Sequence, residues 1–197
     1  MNTTPDVFII ESLRFDDEKR QHCEGSFISH ILRLADRRVQ YYYIRTRTEL
    51  EAVLDRFEDS AFRYLHISCH ADRKGIELTL DDLDVDKLGA LLSPYLENKR
   101  VFFSACNLVT PKLARALLKK TGCFSVIGPA NAIKFDEAAL FWASLYHRMF
   151  RNDSMVMKRE ELQRSLRALT AVFDVNVRYF SASKSAKDGF KQVSVGR

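Results

Sequence analysis

The stretch FRYLHISCH, residues 62–70, decides the fold. From residue 62 to residue 68 it is a short run rich in apolar and aromatic residues. That is too short for a typical helix and rich in the residue types that fill a strand buried on both faces. The stretch VFFSA, residues 101–105, reads the same way. Between the two, residues 85–96 carry apolar side chains three and four apart, the period of an amphipathic helix. Working outward, residues 7–10, 39–44 and 124–127 are further buried strands, and residues 26–37, 48–58, 111–120 and 135–150 are further helices. Short apolar strands alternating with amphipathic helices predict an α/β three-layer sandwich, with a mostly parallel central sheet flanked by helices.

Local signals sharpen this outline. Thr110 can cap the helix after the fourth strand, Pro111 fits its first turn, Lys119 and Lys120 suit its negative end and Gly122 can terminate it. Residues 75–80 alternate Ile76, Leu78 and Leu80 with Glu77 and Thr79, the pattern of a half-exposed strand or hairpin arm. A helix over residues 158–172 and a strand over 175–180 add an edge to the sheet. Residues 1–180 are therefore read as one domain, and residues 181–197 as a polar, basic tail expected to fray.

The 197 residues suit a single core, because a chain of this size hides roughly 70% of its unfolded surface on folding. A composition of 46% hydrophobic and 29% charged residues, with only 7 glycines and 4 prolines, excludes disordered and collagenous classes. The first residues lack a basic segment followed by a long apolar one, and no run reaches a membrane-spanning length. We therefore expect a cytoplasmic protein without membrane association, with Cys23, Cys69, Cys106 and Cys123 as reduced thiols. The net charge is +5, but Lys and Arg are spread along the chain, which argues against a nucleic-acid partner.

In open α/β sheets, functional groups gather at the carboxyl ends of the strands. His70 and Cys106 stand at two such ends, so a thiol and an imidazole are expected to face one cleft. A cysteine is a strong nucleophile only as thiolate, and a nearby imidazole can take its proton and later protonate a leaving amine. The backbone amides of Cys106 and Ala71 are candidates for holding the oxyanion. The plainer reading makes Cys106 a small buried apolar residue and His70 a locally hydrogen-bonded one. Cys69 precedes His70 and should face the opposite side, into packed helices. His66 shares the face of His70 but lies roughly 13 Å away in a strand, too far for joint metal chelation. No metal or cofactor is expected. Cys23 and Cys123 are assigned to packing.

No GxGxxG, GxxxxGK or GxSxG motif appears, so nucleotide binding and serine-hydrolase chemistry lose their usual marks. A cysteine phosphatase would need an arginine where this chain carries Lys112, which lacks the bidentate fork.

Five ordered motifs, HISCH (66–70), GIELT (75–79), VFFSACN (101–107), VIGP (126–129) and FDEAA (135–139), resemble the CHAT family of caspase-like cysteine peptidases of clan CD, related to separase. The resemblance spans roughly residues 64–150. It implies a caspase-haemoglobinase-like fold and a catalytic dyad of His70 and Cys106. The family usually has glycine directly after the histidine, whose amide helps form the oxyanion hole, whereas this chain has Ala71.

From the resemblance we expect a cysteine endopeptidase that cleaves a protein substrate through an acyl-enzyme, in bacterial regulated proteolysis or defence, with a separate activator or sensor protein. Asp136 is similar in position to the acidic residue with which separase receives arginine; a buried carboxylate there could bind arginine bidentately. Its alternative role is to offset the dipole at the start of a helix. Asp16, Asp17 and Glu18 follow the first strand on the same rim and are read as a solvated helix start outside the site. Trp142 is read as core. The competing functional reading is a catalytically degenerate, caspase-like binding or scaffold protein.

Overall fold

The computed structural model describes residues 3–152 and 157–195. In chain order the elements are β1 (Thr4–Glu11), α1 (Phe15–Lys19), α2 (Glu24–Leu34), β2 (Val39–Tyr43), α3 (Arg47–Ser60), β3 (Phe62–Ser68), β4 (His70–Ala71), β5 (Gly75–Glu77) and β6 (Asp82–Asp84). They continue with α4 (Val85–Leu92), β7 (Arg100–Ser104), α5 (Pro111–Leu118), β8 (Ser125–Pro129), α6 (Phe135–Asn152), α7 (Arg159–Phe173), β9 (Val177–Ala182) and β10 (Phe190–Val193). Among the described residues, seven strands form the central sheet in the order β10-β9-β8-β7-β3-β1-β2, and β4, β5 and β6 form a small separate sheet.

The expected α/β sandwich is what the chain builds. Strands β2, β1, β3, β7 and β8 are parallel, while β9 and β10 are antiparallel to their neighbours. Alternation along each strand sends its side chains to two separate cores. Phe8, Ile10, Leu65, Ile67, Val101 and Phe103 join residues of α3, α4 and α5 on one face. Val7, Ile9, Tyr64, Phe102 and Ile127 join residues of α2, α6 and α7 on the other. The second core is strongly aromatic: Trp142 lies edge-on to Phe102 with ring centroids 5.8 Å apart, and Tyr146 does so at 5.4 Å. Trp142 is fully buried, as its helical spacing predicted.

Helix ends follow local chemistry. Thr46 and Glu49 form a reciprocal capping box at the start of α3. Thr110 accepts a hydrogen bond from the Leu113 amide at 3.3 Å, and Pro111 opens α5, as expected. That helix ends at Leu118, short of the expected Lys120, because Lys119 already takes extended backbone angles.

Two expectations at the carboxyl terminus are corrected. Strand β9 is not an edge: it lies between β8 and β10. The segment read as a frayed tail supplies the last residues of β9 and all of β10, with Phe190 opposite Ala182 and Val193 opposite Tyr179. The reason is packing that composition hid, since the Phe190 ring meets Phe180 edge-on with centroids 5.5 Å apart. Residues 196 and 197, the end of that segment, lie outside the described residues.

Gly128 in β8 packs tightly against Phe103 of β7 and Val109 in the segment after it. A methyl group there would lie 2.6 Å from Val109 Cγ2 and 2.8 Å from the Phe103 carbonyl oxygen. Backbone cannot yield as a flexible side-chain end can, so Gly128→Ala is expected to destabilise the fold by about 1–3 kcal/mol. Chemical denaturation checks this; an unchanged midpoint would contradict it.

Candidate active site

Adjacent strands β1, β3 and β7 deliver their carboxyl ends to one edge of the sheet. From β3 the chain passes through Cys69 to His70 in β4; from β7 it passes through Ala105 to Cys106, in a turn where Asn107 has φ 58°. Tyr64, His66 and Phe102 face the aromatic core, so alternation along β3 and β7 carries His70 and Cys106 to that same side. Cys69 faces the other way and is buried in the opposite core.

The His70 side chain is 25% exposed, and its Nε2 lies 2.7 Å from Asp17 Oδ2. When Nε2 carries the proton and donates it to this carboxylate, Nδ1 is left as the acceptor. Asp17 belongs to α1, the short helix reached from β1. Its other oxygen, Oδ1, lies 3.1 Å from His22 Nδ1, so one carboxylate serves two imidazoles. Partial burial pushes the Asp17 carboxyl up, but the hydrogen bonds and charges of His70 and His22 outweigh this and hold it below its ordinary range. The reading that left Asp17 as solvated charge is therefore corrected. The acidic run after the first strand was its only signal in sequence; its pairing with His70 depends on β1 lying beside β3.

Helix α1 contains no buried residue and is fastened from outside. Arg45 donates from Nε and Nη2 to Glu18 at 3.0 and 2.9 Å, and the Tyr43 hydroxyl donates to the same carboxylate. Arg14, just before the helix, donates to both oxygens of Glu77 at 2.6 and 2.5 Å. Glu77 is the β5 partner of His70. These contacts tie both sides of the histidine.

Cys106 is half-buried. The Ile133 amide donates to its Sγ at 3.4 Å, and the thiol donates to the Ile133 carbonyl oxygen at 3.8 Å. Two residues later the Phe135 ring meets His70 edge-on, centroids 5.5 Å apart, and also covers His22 at 5.0 Å. The connection between β8 and α6 thus touches both candidate reactive residues. Asp136 follows in the first turn of α6 and is exposed. The carboxylate expected to be buried there is instead exposed, because in this turn it is Phe135 and Ala138 that face the protein.

Ala71 lies in β4 opposite Ile76 and is not among the residues with left-handed φ, so the alanine forces no strain. The Asp72 amide donates to the Gly75 carbonyl; by the alternation of an antiparallel ladder, the Ala71 amide points away from β5. A cleft of about 420 Å³ opens beside His70, bordered by Arg14, Ala71, Asp72, Glu77 and Asp82.

The remaining candidates fall outside this rim. His66 is fully buried, with Nδ1 2.9 Å from the Tyr146 hydroxyl and its ring edge-on to Trp142. Burial drives the Cys69 thiol far above its ordinary value and the Cys123 thiol up to about 12. Cys23 precedes α2 half-buried; desolvation, then the charges of Glu11 and Glu18, raise its pKa.

No family model and no curated protein sequence matches the chain. Solved structures do. An inactive zymogen C11 protease from Parabacteroides distasonis superposes with a TM-score of 0.63 at 9% identity, over 92% of this chain and 63% of that one. A secreted C11 cysteine protease from Bacteroides thetaiotaomicron gives 0.55 at 11% identity, over 91% and 66%. Caspase-1 from Spodoptera frugiperda gives 0.56 at 13% identity, over 100% and 89%. The chain therefore has a caspase-like α/β fold. It spans less than two thirds of the length of the two C11 proteases it matches.

A carboxyl held below its unfolded pKa stabilises the fold above that pKa, and the contribution is lost as pH falls through the folded value. Asp17→Asn should therefore be less stable than the parent near neutral pH, with the deficit shrinking toward about pH 3. Urea titrations at the two pH values measure this; a deficit that stays constant would deny Asp17 its charged partners.

Proposed function

We propose that this chain is a CHAT-type cysteine endopeptidase. The observation that carries the reading is the 2.7 Å contact between His70 Nε2 and Asp17, which presents an imidazole in one tautomer at the strand end beside that of Cys106. The caspase-like fold supports it, and Ala71 stands in a conformation that alanine adopts freely.

The chemistry follows from these groups. His70 Nδ1 takes the Cys106 thiol proton, and the thiolate attacks the carbonyl carbon of a substrate peptide. The backbone amides of Cys106 and Ala71 receive the negative oxygen of the tetrahedral adduct. Collapse of that adduct breaks the carbon–nitrogen bond, while the His70 imidazolium gives its proton to the leaving amine. Water, deprotonated by His70, then attacks the thioester, and Cys106 leaves with the proton restored. Asp17 steadies the imidazolium that forms twice in this cycle. Asp136 is assigned to the substrate's basic side chain from the open rim of α6, and the substrate to an extended protein segment. Bacterial regulated proteolysis or defence, the cytoplasm and a separate activator protein are read from the CHAT resemblance and the sequence.

A second reading, a non-catalytic caspase-like scaffold, is favoured by one observation. The backbone of Ile133 occupies the Cys106 sulfur from both its amide and its carbonyl.

Peptide acyloxymethyl ketones ending in arginine, leucine or aspartate separate the readings, with adducts located by peptide mass spectrometry. Modification should fall on Cys106 alone, favour the arginine probe, and drop about 100-fold or more in His70→Ala. Asp136→Asn should erase the arginine preference while leaving the leucine rate unchanged. No adduct at Cys106 with any probe would favour the scaffold, and an adduct rate indifferent to His70→Ala would remove the dyad.

A further inference from the structure

Beneath the rim lies a buried polar row that neither the fold nor the proposed chemistry accounts for. Parallel register aligns Tyr43, Glu11, Ser68 and Ser104 across β2, β1, β3 and β7. Ser68 and Ser104 each stand two residues before His70 and Cys106, on the same face. Glu24, in the first turn of α2 and only 4% exposed, reaches down to this row. Its Oε2 accepts from Ser68 Oγ at 3.0 Å and from Ser104 Oγ at 2.9 Å. Trp142 Nε1 donates to Ser104 Oγ at 3.0 Å.

The sheet alone does not fix what comes after this row. The bond from the Cys69 amide to the Ser104 carbonyl, 3.2 Å, lies at the end of the β3–β7 ladder, and Cys106 sits beyond it in a turn. The separation of imidazole and thiol therefore depends on how firmly the two strand ends are held together. Burying a carboxylate is expensive unless it is hydrogen-bonded, so its placement at this junction needs an explanation.

We propose that Glu24 is a positioning residue that clamps the strand ends carrying His70 and Cys106 through Ser68 and Ser104. The proposal rests on the dyad reading above. Its neighbour Glu11 is fully buried and fixes α2 in turn, accepting from the Gly25 amide at 2.6 Å, the Ser26 amide at 3.2 Å and the Tyr41 hydroxyl at 2.7 Å. On the far side, Glu24 Oε1 lies 3.8 Å from His66 Nε2, and neither atom has a hydrogen-bond partner. Glutamine fits this geometry: its carbonyl oxygen can accept both hydroxyls while its amide turns to His66. Alanine removes the clamp.

The test reads the thiol itself, so it needs no substrate. Iodoacetamide modification of Cys106 is followed by mass spectrometry from about pH 5 to pH 9 in the parent, His70→Ala, Glu24→Ala and Glu24→Gln. An imidazole held beside a thiol sustains thiolate well below the ordinary cysteine pKa, giving a low-pH component that His70→Ala should remove. Glu24→Ala should lose about tenfold in rate near pH 6 with little change near pH 9, where any exposed thiol ionises. Glu24→Gln should restore the low-pH rate. The titratable groups facing the clamp and the dyad, namely Glu11, His66, Cys69 and Tyr146 below and Asp17, His22 and Glu77 above, are left in place in all variants. If Glu24→Ala fails to fold, the paired Ser68→Ala and Ser104→Ala changes remove both arms with smaller side chains and should give the same loss. A low-pH component that disappears in His70→Ala but persists in the folded clamp variants overturns the clamp and spares the dyad. A profile that His70→Ala leaves unchanged overturns the dyad, and the clamp with it.

Discussion

The parallel pairing of β3 with β7 is the constraint on which the rest of the molecule depends. Its register sets His66 beside Phe102, Ile67 beside Phe103 and Ser68 beside Ser104. Because strand side chains alternate, a slip of one residue in either strand would exchange the side chains that it sends to the two cores. Two large cores hold the register, one on each face, and neither tolerates that exchange. The same packing that stabilises the sheet therefore decides that a histidine and a cysteine emerge on one side of one edge.

This explains which parts were legible in sequence. The β3 strand was read at its observed bounds because a strand buried on both faces leaves a short run rich in apolar and aromatic residues. Amphipathic helices leave a period equally plain, and Trp142 and Cys69 followed from those two periodicities. Asp17 did not, because a charged residue after a strand looks like any solvated loop until the order of strands is known. The placement of β1 next to β3 has no signature in either strand. For Asp136 only the expected burial of the carboxylate departs from the structure, since burial at a helix start depends on what packs over it: the residue stands exposed in the first turn of α6. The β10 strand was hidden by a lysine- and serine-rich surrounding in which Phe190, Val193 and Val195 are the apolar residues that reach a core.

Below the rim, polar groups stand among the apolar side chains of the core. Glu11, pushed up to about 7 by burial despite the amides and the tyrosine that hydrogen-bond it, sits next to Glu24 at the start of α2. Two carboxyls in such a place cost stability that apolar side chains would not. Glu24 supplies in return what apolar groups lack, directional bonds to Ser68 and Ser104 on the strands that lead to His70 and Cys106, while Glu11 holds the start of α2 and Tyr41.

The surface attachment of α1 gives the site a sensitivity that the cores do not share. The helix that carries Asp17 buries no side chain, and exposed ion pairs such as Arg45 with Glu18 hold it in place. Mobile ions screen exposed charges over about 8 Å at physiological ionic strength, while buried apolar contacts are untouched by such screening. Dissolved salt therefore acts selectively here: it loosens the fastening of one short helix, and through Asp17 the orientation of an imidazole, in a protein whose sheet and helices stay as they were.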